Sequence, residues 1–113
     1  MSEEYSFGKT TIAPEVLITI ARMSALSVEG VSRLAPVSGG LGRVFRRGAN
    51  EGVRAEIEDG LAYLDLYLIL KQDVNVREVG RQVQQMVSRS VSEMLGIEVG
   101  HVNIHIEDID YEV

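Results

Sequence analysis

Polar and apolar positions alternate most cleanly between Val53 and Leu70. Val53, Ala55 and Ile57 interleave with Arg54, Glu56 and Glu58, the period-two pattern of a half-buried strand. Asp59-Gly60 then supplies a tight hairpin turn. The next strand, Leu61 to Leu70, sets Leu64, Leu66, Leu68 and Leu70 on one face and Tyr63, Asp65, Tyr67 and Ile69 on the other. A strand apolar on one face and aromatic on the other belongs in mid-sheet.

The period changes after Lys71. Asn75 with Glu78 three residues on has the form of a helix cap. Behind it Val76, Val79, Gly80, Val83, Val87, Val91 and Met94 align on one helical stripe, and Gly96 is a natural stop. Gly80 weakens a helix by roughly 1 kcal/mol relative to Ala, so its place on the stripe predicts close backbone packing. A closing strand follows, with Val102, Ile104 and Ile106 inward and His101, Asn103 and His105 outward.

Toward the start, Tyr5 to Ile12 alternates loosely and reads as a first strand. Pro14 suits a first helical position, because its missing N–H would have been unpaired there. The helix from about Pro14 to Ser27 sets Val16, Leu17, Ile20, Ala21 and Ser24 on one face, with Ile18, Ala25 and Leu26 off it. It is apolar nearly all round and needs further cover. Glu29-Gly30 ends it, and a glycine-rich connection is predicted from there to about Gly52. Within that connection Leu41, Val44 and Phe45 have helical spacing, opposite Arg43, Arg46 and Arg47.

The resulting order is strand, helix, strand, strand, helix, strand. It predicts an α+β two-layer sandwich, a small mixed sheet with both helices on one face. The chain's 113 residues suit one domain over 1–113, with its core from about 5 to 109. The hydrophobic fraction of 45% with 25% charged residues fits a folded protein, and the aliphatic residues must carry its core. No apolar run approaches the ~20 residues needed to cross a bilayer, and the first residues lack the pattern of a signal peptide. With no cysteine, disulfides and thiol chemistry are excluded, and a cytoplasmic location is expected.

The net charge of −6 disfavours a dedicated nucleic-acid binder. It is unevenly spread. Residues 33–54 hold Arg33, Arg43, Arg46, Arg47 and Arg54 against Glu51, whereas the end holds Glu107, Asp108, Asp110 and Glu112. These are either two solvated segments or complementary surfaces that meet between subunits.

Catalytic signatures fail on spacing. Gly8-Lys9-Thr10 resembles the end of a phosphate loop, but Glu3 stands where its first glycine belongs. Phe45 replaces the third glycine of a dinucleotide fingerprint begun at Gly40-Leu41-Gly42. His101 and His105, four residues apart on a strand, have Cα atoms roughly 13 Å apart, too far to share a metal. Asp65, between two tyrosines, is the one carboxylate of interest for acid–base work and reads better as a solubility device. The sequence predicts no enzyme, no catalytic residues, no cofactor and no metal. Its better lead is the second sheet face, where Tyr63, Tyr67 and Ile69, with Asn103 and His105, are left toward solvent. Tyrosines beside aliphatics suit an interface as well as they suit an ordinary solvated face.

The opening YSFGKTTIAPEVLITIA, the VEGVSRL segment, the glycine and arginine loop, and VREVGRQVQQMVSRSVSEMLGIEVGHVNIHIEDI together resemble the alkaline-shock-protein family, the bacterial envelope stress response group also named for a glucose-starvation-like protein. The resemblance runs from about Tyr5 to Ile109. It rests most on Gly8 with Ile12, Val28-Glu29-Gly30-Val31, Gln84 with Val87, Gly96 and Val102-Asn103-Ile104-His105-Ile106. It implies a cytoplasmic, non-catalytic protein of cell-envelope homeostasis that self-associates, with a small membrane-anchoring protein as a partner and recruitment to the inner face of the membrane. The contact surfaces expected are Tyr63, Tyr67 and Ile69 on the sheet and Arg43, Arg46 and Arg47 in the loop. The rival reading is a small nucleic-acid module using Gly39-Gly40-Leu41-Gly42-Arg43 as a backbone clamp.

Overall fold

In the computed structural model, residues 10–36, 49–50 and 52–111 are described. Helix α1 runs Pro14–Leu26, followed by strand β1 (Val31–Leu34) and the short β2 (Ala49–Asn50). Strands β3 (Val53–Glu58) and β4 (Leu61–Lys71) form a hairpin, and helix α2 (Val76–Leu95) leads into strand β5 (Glu98–Asp110). Among the described residues this is an α+β fold with a five-stranded mixed sheet.

The sheet is organised around β4. One of its edges pairs with β5 in parallel along its whole length. The other edge is shared: β3 takes Leu61 to Leu66 and β1 takes Leu68 to Leu70, both antiparallel. The two meet at Tyr67, whose N–H donates to the Gly52 carbonyl (2.8 Å) and whose carbonyl accepts from the Ala35 N–H (2.8 Å). β2 continues the sheet beyond β3.

Alternation along β4 sets the core. Ala62, Leu64, Leu66, Leu68 and Leu70 are fully buried under both helices. From α2 come Val79, Val83, Val87 and Val91, and from α1 Leu17, Ile18, Ile20, Ala21 and Ala25. The cap expected at Asn75 forms: its Oδ1 accepts from the Glu78 N–H at 2.9 Å. Gly96 ends α2 in the left-handed conformation, and Asp59 and Gly60 turn the hairpin with φ of 54° and 78°.

Several expectations change. The connection predicted from Gly30 to Gly52 contains β1 and β2. β1 has only four residues and a bulge between Val31 and Arg33, too little for a periodicity to show. Thr10–Ile12 carry no strand, and the rest of the expected first strand lies outside the described residues, as does the turn at Leu41, Val44 and Phe45. The ends of the α2 stripe are uncovered: Val76 and Met94 are exposed, and so is Ile57 of β3. α1 finds cover for Ile18 and Ala25 but leaves Val16, Met23 and Leu26 exposed. Gly80 does not mark close packing. A Cβ there would meet only the Ile104 Cγ2, at an ordinary 3.9 Å.

Candidate interaction face

With both helices on one side, the odd-numbered positions of β4 look out from the other. Parallel register then aligns them with β5: Tyr63 beside His101, Asp65 beside Asn103, Tyr67 beside His105 and Ile69 beside Asp108. On the opposite edge Glu56 flanks Tyr63, Arg54 flanks Asp65, and Arg33 flanks Ile69. These rows of three form the outer face.

Two bulges hold the β4–β5 register, one between Ala62 and Tyr63 and one between Leu68 and Ile69. On β5 the extra residues are Gly100 and Glu107, so the segment between them presents a regular outward ladder of His101, Asn103 and His105. Gly100 also makes room for the Tyr63 ring.

Side chains on this face pair along the rows. The Tyr67 and His105 rings stack with centroids 4.5 Å apart and an interplanar angle of 11°. Tyr63 and His101 meet edge to face at 5.0 Å and 62°. Asp65 Oδ1 accepts from Asn103 Nδ2 at 3.2 Å and lies 3.0 Å from His105 Nε2. An ionised carboxylate only accepts, so the His105 Nε2 carries the hydrogen in that contact. Burial acts to raise the Asp65 carboxyl; the hydrogen bonds from His105 and Asn103, with the charges of His105 and His101 behind them, outweigh it and hold the group below its ordinary value.

Of the residues expected on this surface, Tyr63 and Tyr67 are there and half-buried. Ile69 is not open to solvent: it is only 8% exposed, closed in with Arg33 on one flank and Asp108 on the other. His105 and Asn103 lie beside the tyrosines as expected, and the pairing of both with Asp65 was not legible in the sequence. Arg43, Arg46 and Arg47, with the glycines of Gly39 to Gly42, lie outside the described residues.

The rest of the surface offers open grooves. One lies between the end of α1 and α2, lined by Glu29, Gln85, Arg89 and Glu93. Another lies between α2 and β5, against Val76, Gly80, Ile104 and Ile106. Beside it Gln84 Nε2 donates to the Val102 carbonyl at 3.0 Å and so occupies part of the β5 edge. Among the described residues, no three His, Asp or Glu side chains gather as metal ligands. No described helix is long and apolar enough to cross a membrane.

The sequence profile of the alkaline shock protein 23 family, described as having a cell envelope-related function, matches residues 2–111. The chain belongs to this family. Among relatives, YqhY of Bacillus subtilis (strain 168) is 28% identical over 112 residues, covering 97% of this chain and 83% of that protein. YloU of the same strain is 26% identical over 107 residues, covering 91% and 89%. Among solved structures, a point variant of MamM CTD superposes with a TM-score of 0.55 over 87% of this chain and all of that one, at 12% identity. A zinc form of MamM CTD gives 0.54 over 88% and 89%, at 11% identity. At such identity the likeness is one of fold.

Proposed function

We propose that the chain is a non-catalytic cytoplasmic scaffold of the envelope stress response, working by self-association and by binding partner proteins, a small membrane-anchoring protein among them. The observation that carries this reading is the outer sheet face. Tyr63 and Tyr67 stand in mid-sheet, outside the helix-side core, each braced by a histidine of β5. Rigid, amphipathic rings fixed in place offer contact area at low entropic cost, which is what a binding surface needs. The pairing of Asp65 with Asn103 and His105 fixes the polar groups between them. The cell envelope-related description of the family agrees with such a role.

The test is sedimentation equilibrium of the chain and of the double variant Tyr63→Ala/Tyr67→Ala. The expected result is a mass that rises with concentration for the former and much less for the variant. Equal association of the two proteins contradicts the assignment to this face.

A further inference from the structure

The charges on the outer face are arranged so that the face complements itself. On the β1 and β3 side the rows carry Arg33, Arg54 and Glu56. On the β5 side the same rows carry Asp108, Asn103 and His101. Arg33, Arg54, Glu56, His101, Asn103 and Asp108 are all exposed. Between the two sides, Asp65 is drawn toward β5 by its bonds to Asn103 and His105, leaving the strip beside Arg54 clear of its carboxylate.

We propose that two copies of this chain pack face to face through this sheet surface, about a two-fold axis running along β4. The proposal rests on the self-association reading above and assigns its geometry. A rotation of 180° about β4 keeps each row at its own height and exchanges its ends. Arg33 then faces Asp108 of the second copy, Glu56 faces His101 of the second copy, and Arg54 lies over Asp65 and Asn103 of the second copy. Each contact occurs twice, as a two-fold requires. The tyrosines lie along the axis and supply the apolar contact.

The alternative two-fold, across the strands, fails on charge. Centred on the Asp65 row, it would set Arg54 against Arg54 of the second copy and Asp108 against Glu98, with only Arg33 against Glu58 in its favour. Like-charge contacts of that kind select against a partner orientation. In the favoured arrangement the like-charge contacts are Glu58 with Glu98 of the second copy, in an end row, and Asp65 with Asp65 of the second copy across the axis, where each carboxylate is drawn aside toward its own β5. Aligned sheets cross at about 30°, which spreads both end rows, that of Arg33 with Asp108 as much as that of Glu58 with Glu98, relative to the central ones.

The contact area bounds the affinity. Five rows at about 6.8 Å by three strands at about 4.8 Å make a small interface. Interfaces below about 1,200 Å² are weak and reversible, so the dimer is expected to be concentration-dependent and weakened by salt.

Charge reversal tests the axis. Arg33→Asp sets a new carboxylate against that of Asp108 twice in its own dimer, and Asp108→Arg sets two guanidinium groups together twice. Mixed in equal amounts, the two variants form a hetero-pair with both contacts restored. Both positions are exposed, and circular dichroism checks that each variant is folded. Analytical ultracentrifugation of the wild type, each variant and the mixture is expected to show at least a tenfold weaker dimer for each variant alone and near wild-type association for the mixture. Variants that associate as well as the wild type, or a mixture that fails to recover, overturn the two-fold while leaving self-association standing. A wild type that stays monomeric overturns both.

Discussion

The ring of Tyr63 fills the space that a side chain on Gly100 would occupy. A Cβ at position 100 would lie 2.9 Å from the ring's Cδ1 and Cζ, so the glycine and the tyrosine require each other. Gly100→Ala must therefore push the ring from its place beside His101. Overpacking of this kind costs about 1–3 kcal/mol, and each kcal/mol lowers Tm by roughly 4–8 °C in a domain of this size. In a Tyr63→Ala background the same substitution is expected to cost far less. Thermal unfolding of the four proteins in the cycle checks this, and equal costs in both backgrounds would contradict the coupling.

Gly52 and Gly60 share a left-handed backbone, with φ of 79° and 78°, but not the same surroundings. A Cβ on Gly60 would meet nothing within 4 Å. A Cβ on Gly52 would lie 2.8 Å from the Leu34 Cβ and 3.1 Å from the Tyr67 carbonyl oxygen, where β1 and β3 meet. Gly60→Ala is expected to cost about 1 kcal/mol for its backbone alone. Gly52→Ala should cost at least about 2 kcal/mol more, because rigid backbone stands in the way. Chemical denaturation of both variants separates the two, and similar midpoints would refute the crowding at the strand junction.

Gly80→Ala is expected to stabilise the chain. The position is helical, half-buried, and open enough for a methyl group, with the Ile104 Cγ2 at 3.9 Å. Replacing glycine by alanine in a helix gains about 0.5–1 kcal/mol. A rise in the denaturation midpoint supports this, and a fall would restore a packing role for the glycine.

Acid should remove the contribution of Asp65. Its carboxyl is held lower in the folded chain than in the unfolded one, so its stabilisation is complete above the unfolded value, near 3.8. It fades as pH falls through the lower folded value. Because the side chain is 29% exposed, the contribution is about 1 kcal/mol or less. The difference in stability between the wild type and Asp65→Asn should thus shrink as pH falls below about 4. A difference that does not shrink below that pH would contradict the bonding of Asp65 to His105 and Asn103.

What could be read from the chain was what periodicity marks. β4 and α2 each display one unbroken repeat, and Asp59-Gly60, Asn75 and Gly96 punctuate them, so these elements and most of the core were legible. β1 was not. Four residues with a bulge leave no repeat, and its pairing with Leu68 to Leu70 is a long-range contact that no local pattern encodes. The candidate face was half legible. Alternation put Tyr63, Asp65 and Tyr67 on one side and His101, Asn103 and His105 outward on β5. The bulges at Gly100 and Glu107, which decide who neighbours whom, are invisible without the sheet. Ile69 was misjudged for the same reason, since burial on an outer face depends on both flanking strands.

Self-association underlies both the scaffold role and the two-fold proposed for it. The decisive quantity is the mass in solution, followed by sedimentation from dilute to near-millimolar protein at low and at moderate salt. Growth from 12.4 kDa toward twice that mass is expected as concentration rises, reduced by salt. A mass fixed at 12.4 kDa throughout would contradict self-association of this chain.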